Sequence, residues 1–127
     1  MNRKKLLTWC FFAIALIVFV SSCSKSPRFK GKIGVTCMDL TNPFFKLIAN
    51  VMQEEAAKHG YEIVALSGEL DPAKQNNQIS DFVAQGYDAI FLNPVDSKAA
   101  GEGVKKAHEA GVPVFTFDVQ VTDEQAK

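Results

Sequence analysis

From Lys32 onward the apolar positions alternate between two periods. Ile33-Gly34-Val35-Thr36-Cys37 is a short β-rich run and predicts a buried strand. Thr41-Asn42-Pro43 then signals a helix start, since an Asn side-chain oxygen can cap and proline fits the first helical position. Phe44, Leu47, Ile48, Val51 and Met52 follow at helical spacing, and Lys58-His59-Gly60 closes the helix with cations and a glycine. His59 therefore reads as a surface cap, not a catalyst. The unit returns with a strand at Tyr61–Leu66, a loop at 67–70 and a second Asx-proline start at Asp71-Pro72. Ile79, Phe82 and Val83 supply that helix's buried stripe, and Gly86 stops it. A third strand is expected over Tyr87–Leu92, with the loop Asn93-Pro94-Val95-Asp96-Ser97 capping a third helix built on Ala100, Val104 and Ala107. Gly111 ends that helix, and Val112–Phe117 form a fourth strand. Alternation of strand and helix predicts an α/β domain, a doubly wound parallel sheet of order 2-1-3-4 under the right-handed crossover rule. Only residues 119–127 follow the fourth strand, too few for a covering helix. The pattern therefore reads as incomplete at the C-terminus, part of a longer chain.

The N-terminus has a different character. Met1–Lys5 is basic, and Leu6–Val20 is apolar apart from Thr8. Fifteen residues are short for a spanning helix, which needs about 20, and the order of basic, apolar and small residues is that of a secretory signal. Val20-Ser21-Ser22-Cys23 resembles a bacterial lipobox, which would make Cys23 the lipidated first residue of the mature protein. An ordinary signal with an incidental cysteine, or an uncleaved anchor, are the other readings of the same residues. The expected organisation is a lipoprotein signal at 1–22, a tether at 23–31 and a lobe at 32–127, exported and held on the bacterial membrane.

Composition narrows the function. The chain has 127 residues, 47% of them hydrophobic, a globular balance for one domain. Its 14 basic and 14 acidic groups cancel, but loss of Arg3, Lys4 and Lys5 with residues 1–22 leaves 11 against 14. That mildly acidic body is a poor partner for nucleic acid. Of three cysteines, Cys10 lies in the leader and Cys23 in the lipobox, so Cys37 has no evident disulfide partner. No Cys/His spacing suits a zinc ion. No glycine-rich phosphate loop and no G-x-S-x-G elbow occurs, so neither a cofactor nor an enzyme is expected.

Ligands of doubly wound sheets bind beyond the carboxyl ends of the strands, where strand order reverses. Here that point falls between the first and third strands. Asn42, Asn93 and Asp118 lie at strand ends there, with Phe44 and Phe45 opening the first helix. Amides and a carboxylate suit polyol hydroxyls, and an aromatic face can cover the apolar side of a sugar ring. Asn42 doubles as a helix cap, one phenylalanine belongs to the core, and Asp39 with Asp118 could be imagined as a carboxylate pair.

At these residues the chain resembles the sugar-binding proteins of bacterial ABC importers, the ribose-binding type of periplasmic binding protein. The marks are Ile33-Gly34-Val35, Asn42-Pro43-Phe44-Phe45, Asp71-Pro72-Ala73-Lys74-Gln75, Asn93-Pro94-Val95-Asp96-Ser97 and Gly111-Val112-Pro113-Val114 leading to Phe117-Asp118. The resemblance implies a flavodoxin-like lobe, one of two that close on a monosaccharide or polyol and deliver it to a membrane permease. It also implies that Asn42, Asn93 and Asp118 bond sugar hydroxyls while Phe44 and Phe45 form an aromatic wall. The chain departs from ribose binders at Val119, where those carry an arginine, so it lacks their charged two-donor clamp. It also has less than half their length, and a lobe alone would bind weakly or not at all. A sensory protein presenting ligand to a membrane kinase or chemoreceptor would use the same lobe, and a small flavodoxin-like enzyme would use the same fold.

Overall fold

A computed structural model describes residues 28–123. The expected signal, Cys23 and the tether as far as Pro27 lie outside them. The elements run β1 (Gly31–Cys37), α1 (Pro43–Lys58), β2 (Tyr61–Ser67), α2 (Pro72–Ala84), β3 (Ala89–Leu92), α3 (Gly101–Glu109) and β4 (Val114–Thr116). All four strands are parallel, in the order β2-β1-β3-β4. Fold class and strand order are those the sequence pattern predicts.

The helix starts also follow the sequence. Asn42 Oδ1 accepts from Phe44 N at 2.9 Å, and Asp71 Oδ1 accepts from Ala73 N at 2.8 Å and Lys74 N at 3.2 Å. The third start differs: Asp96 Oδ1 takes the amides of Lys98 and Ala99 at 2.9 and 2.7 Å, but a turn intervenes before α3 begins. Those amides hold the Asp96 carboxyl below the usual carboxylate range.

Strands β3 and β4 begin two residues later than the pattern predicts, and the helix ends explain why. Gly86 and Gly111 sit at φ +72° and +75°. The next amide then turns back into the helix: Tyr87 N donates to Phe82 O at 3.1 Å and Val112 N to Ala107 O at 2.9 Å. Tyr87 and Val112 thus close helices, leaving Ala89 and Val114 as the first ladder residues.

The pleat sorts the core into two layers. Val35 and Cys37 face α1 and pack with Phe45, joined by Ile48, Met52, Ile63, Ala65, Phe91 and Phe117. Ile90 and Leu92 face the opposite way, toward Ile79 and Phe82 of α2 and Val104 and Ala107 of α3. Gly34 permits the second layer to close. A Cβ there would lie 2.5 Å from the Phe82 ring, which rests directly on the strand.

Cys37, on the α1 face, is wholly buried and unpaired, and burial pushes its thiol up to about 11. A folded thiol that holds its proton more tightly than the unfolded one stabilises fully below its ordinary value of 9.0. That contribution is lost as pH climbs from there towards 11. Urea midpoints measured across this range should fall in the native protein and fall less in Cys37→Ala. Equal slopes would contradict the assignment.

Candidate functional site

Where parallel strands run into loops, the amides and carbonyls beyond the ladder need other partners. Here the partners come from a buried polar cluster. Thr36, Gln75 and Asn93 are 0%, 2% and 0% exposed, and Gln78 is 8% exposed. Gln75 Nε2 donates to Asn93 O at 2.9 Å and to Thr36 Oγ1 at 3.2 Å, while its Oε1 accepts from Val95 N at 2.8 Å. Gln78 accepts the Thr36 hydroxyl proton at 2.7 Å and donates to Ser67 O at 2.8 Å. Every buried side-chain polar atom among the described residues has a partner. An unmade bond in such a place costs about 1–3 kcal/mol, so the cluster is stable only when complete.

Asn93 extends the cluster to the surface. Its Oδ1 accepts from Met38 N at 3.2 Å, past the end of β1. Its Nδ2 donates to Asp118 Oδ2 at 3.1 Å and to Phe117 O at 3.4 Å, past the end of β4. One amide thus ties three strand tips together. Asp118 stands at φ +64° in a γ-turn closed by Val119 N donating to Phe117 O at 2.7 Å. That backbone costs roughly 1–3 kcal/mol in a residue with a side chain, and Asn93 holds its carboxylate in place. The second carboxylate oxygen has no partner among the described residues. Beside β2, Glu69 and Leu70 occupy consecutive left-handed positions at φ +53° and +58°, turning the loop back so that Leu70 N reaches Met38 O.

The first loop supplies the remaining candidates. Asn42 is exposed and spends its oxygen on the α1 cap, leaving its two amide protons without partners among the described residues. Phe44 and Phe45 meet edge to face at 5.3 Å, but their environments differ. Phe44 is 56% exposed, whereas Phe45 is 7% exposed and belongs to the core. Asp39 lies nearby, its carboxyl held low by the Thr41 hydroxyl and then the Thr41 amide. It faces Thr41, not Asp118, so no carboxylate pair forms between them.

The expected site residues therefore fall into two groups on one sheet edge. Asn93 and Asp118 are in contact, as are Asn42, Phe44 and Phe45, and among the described residues no hydrogen bond joins the two groups directly. Sequence reading does not single out the buried amides Gln75 and Gln78. The signal was present: they share helical spacing with Ile79 and Phe82, so two amides stand on a face otherwise apolar. No cluster of three metal-ligating side chains occurs among the described residues.

A family model, that of the periplasmic binding protein domain, matches residues 33–127. The chain belongs to the periplasmic binding protein family. This family is extracytoplasmic, and the relatives found are binding proteins of transporters. The chain is 35% identical over 122 residues to the ribose import binding protein of Escherichia coli (strain K12), covering 96% of this chain and 40% of that protein. Among solved periplasmic binding proteins it resembles the periplasmic ribose ABC transporter protein of Conexibacter woesei, at 27% identity and TM-score 0.70, covering 82% of this chain and 35% of that one. The Caulobacter myo-inositol binding protein bound to myo-inositol is similar at 28% identity and TM-score 0.70, over 78% and 34%. This periplasmic binding protein chain thus spans about two fifths of the length of the curated relative.

Replacing Asn93 by alanine strands the Met38 amide and frees the Asp118 turn. Urea unfolding of Asn93→Ala should show a loss of about 1–3 kcal/mol. A loss below about 0.5 kcal/mol would mean that water replaces the amide and that the three tips do not depend on it.

Proposed function

We propose that this chain provides one wall of a cleft for a monosaccharide or polyol, as the substrate-binding lipoprotein of a sugar ABC importer that carries out no catalysis itself. The observation that carries the reading is the edge where strand order reverses. There an exposed aromatic ring (Phe44) follows Asn42, whose amide protons have no partners among the described residues, and past the end of β4 Asp118 presents a second oxygen that likewise has none. Phe44 covers an apolar sugar face, Asp118 accepts from hydroxyls and Asn42 donates to them. Phe45 backs Phe44 from the core. Asn93 serves the ligand chiefly through Asp118, since both ends of its amide are engaged. The named ligands of the relatives, ribose and myo-inositol, support a compact polyhydroxylated molecule. Val119 favours a neutral ligand contact where ribose binders use a charged one. Delivery is to a membrane permease, with Cys23 as the lipid attachment point.

Magnitude decides what to expect of the 127-residue chain. A micromolar binder gains about 8 kcal/mol, and half of that corresponds to a Kd of about 1 mM. Titrating the isotopically labelled chain with D-ribose, D-allose and myo-inositol to roughly 50 Kd should therefore move the amides of residues 38–45, 93–96 and 117–119 in fast exchange. Phe44→Ala should weaken the response about tenfold without unfolding the chain. A panel that leaves those amides still, or that moves them equally in Phe44→Ala, rules the cleft out.

Lipid attachment has a separate check. Expression of the chain in a bacterium fed labelled palmitate should label the native chain and not Cys23→Ser. Label retained by the serine variant would remove Cys23 from this role.

A further inference from the structure

We propose that Gln75 is a positioning residue for ligand binding: it sets the 93–95 backbone, and through Asn93 the Asp118 carboxylate, without touching the ligand. The inference rests on the sugar-cleft reading. Gln75 stands one turn into α2, on the helix face turned to the sheet, and its three side-chain bonds converge on the tips of β1 and β3. Two of them grip the backbone on either side of Pro94, through Asn93 O and Val95 N. Pro94 has no amide of its own, so the loop has few other ways to fix its course. Asn93 is wholly buried and bonds both Met38 N and Asp118, so a shift of its backbone moves the carboxylate. The chain runs Gln75, Asn93, Asp118, with each link a hydrogen bond.

Gln78 is the matched control. It is buried on the same helix three residues later and makes two bonds, to Thr36 and Ser67, but none to the 93–95 loop. A purely structural role predicts the same outcome for both glutamines. Positioning predicts a split between stability and affinity.

The test compares Gln75→Met and Gln78→Met in the 127-residue chain, reading urea midpoints and the Kd for D-ribose and myo-inositol by amide shifts. Both variants should lose similar stability. Only Gln75→Met should weaken binding, by about fivefold or more, and shift the Val95 amide in the free protein. Equal affinities in the two variants overturn the proposal. Should Gln75→Met not fold, Gln75→Glu keeps the acceptor for Val95 and loses the donor to Asn93. It should weaken binding in the same direction, and native affinity there also overturns the proposal. If neither variant folds, Gln75 serves the fold alone and the proposal fails. A native chain that shows no sugar response sinks the cleft reading and this inference together. A native response lost in Phe44→Ala but indifferent to Gln75 sinks this inference only.

Discussion

The constraint that organises this fold is the need to satisfy the strand ends of a parallel sheet inside protein. Antiparallel strands turn and pair their last groups in a hairpin. Parallel strands run out into loops whose amides and carbonyls no longer meet a neighbouring strand. The chain meets this with side chains. Thr36 and Gln78 bind the tips of β1 and β2, Gln75 those of β1 and β3, and Asn93 those of β1 and β4. Each amide has a donor and an acceptor end, so one residue can serve two strands at once. A hydrophobic replacement would fill the space but leave several groups unpaired, at about 1–3 kcal/mol each.

That same arrangement gives the edge its chemistry. A buried amide spent on backbone cannot recognise anything, but it can hold a neighbour that does. Asn93 bonds Asp118 in its positive-φ turn, and the carboxylate has one oxygen engaged and one without a partner among the described residues. Pre-orientation of this kind matters most for a small neutral ligand. Each hydroxyl contact contributes about 1 kcal/mol, and a side chain that must first be ordered loses most of it.

Most of the architecture is legible in the sequence because local and long-range signals agree. Asn42-Pro43 and Asp71-Pro72 cap helices as their residue types require, and period-two apolar runs become strands. The places where sequence reading fell short are those where a residue serves a distant partner. Tyr87 and Val112 look like strand residues, yet their amides close the preceding helices, which only the positive-φ glycine before each reveals. Phe44 and Phe45 are neighbours of one type, and which ring is core depends on the α1 rotation over β1. Asn93 reads as a polar residue at a strand end, free to meet a ligand. Its burial comes from contacts 55 residues back and 25 residues ahead, which no local pattern encodes. Gln75 and Gln78 were visible as amides on an apolar helical face, but their partners were not.

The exposed aromatic residues carry different meanings according to where they stand on the sheet. Two helices, α2 and α3, cover one face, and α1 covers the other over β1 and β2. Over β3 and β4 on that second face Phe91 and Phe115 lie 5.4 Å apart, and Phe115 is 51% exposed. Leu47 and Val51 on α1 are 61% and 55% exposed. These are mid-sheet and mid-helix positions, where an apolar side chain gains about 25 cal/mol for each Å² that further protein removes from water. Phe44 is as exposed as Phe115 but sits at a helix start on the strand-tip edge, beside Asn42. A packing residue needs only apolar neighbours, and the Phe115 surroundings supply them. A ligand-facing ring needs a polar rim within reach, and of the two only Phe44 stands beside one. Equal exposure therefore comes with different surroundings: Phe115 stands against the Phe91 ring, Phe44 next to the exposed amide of Asn42.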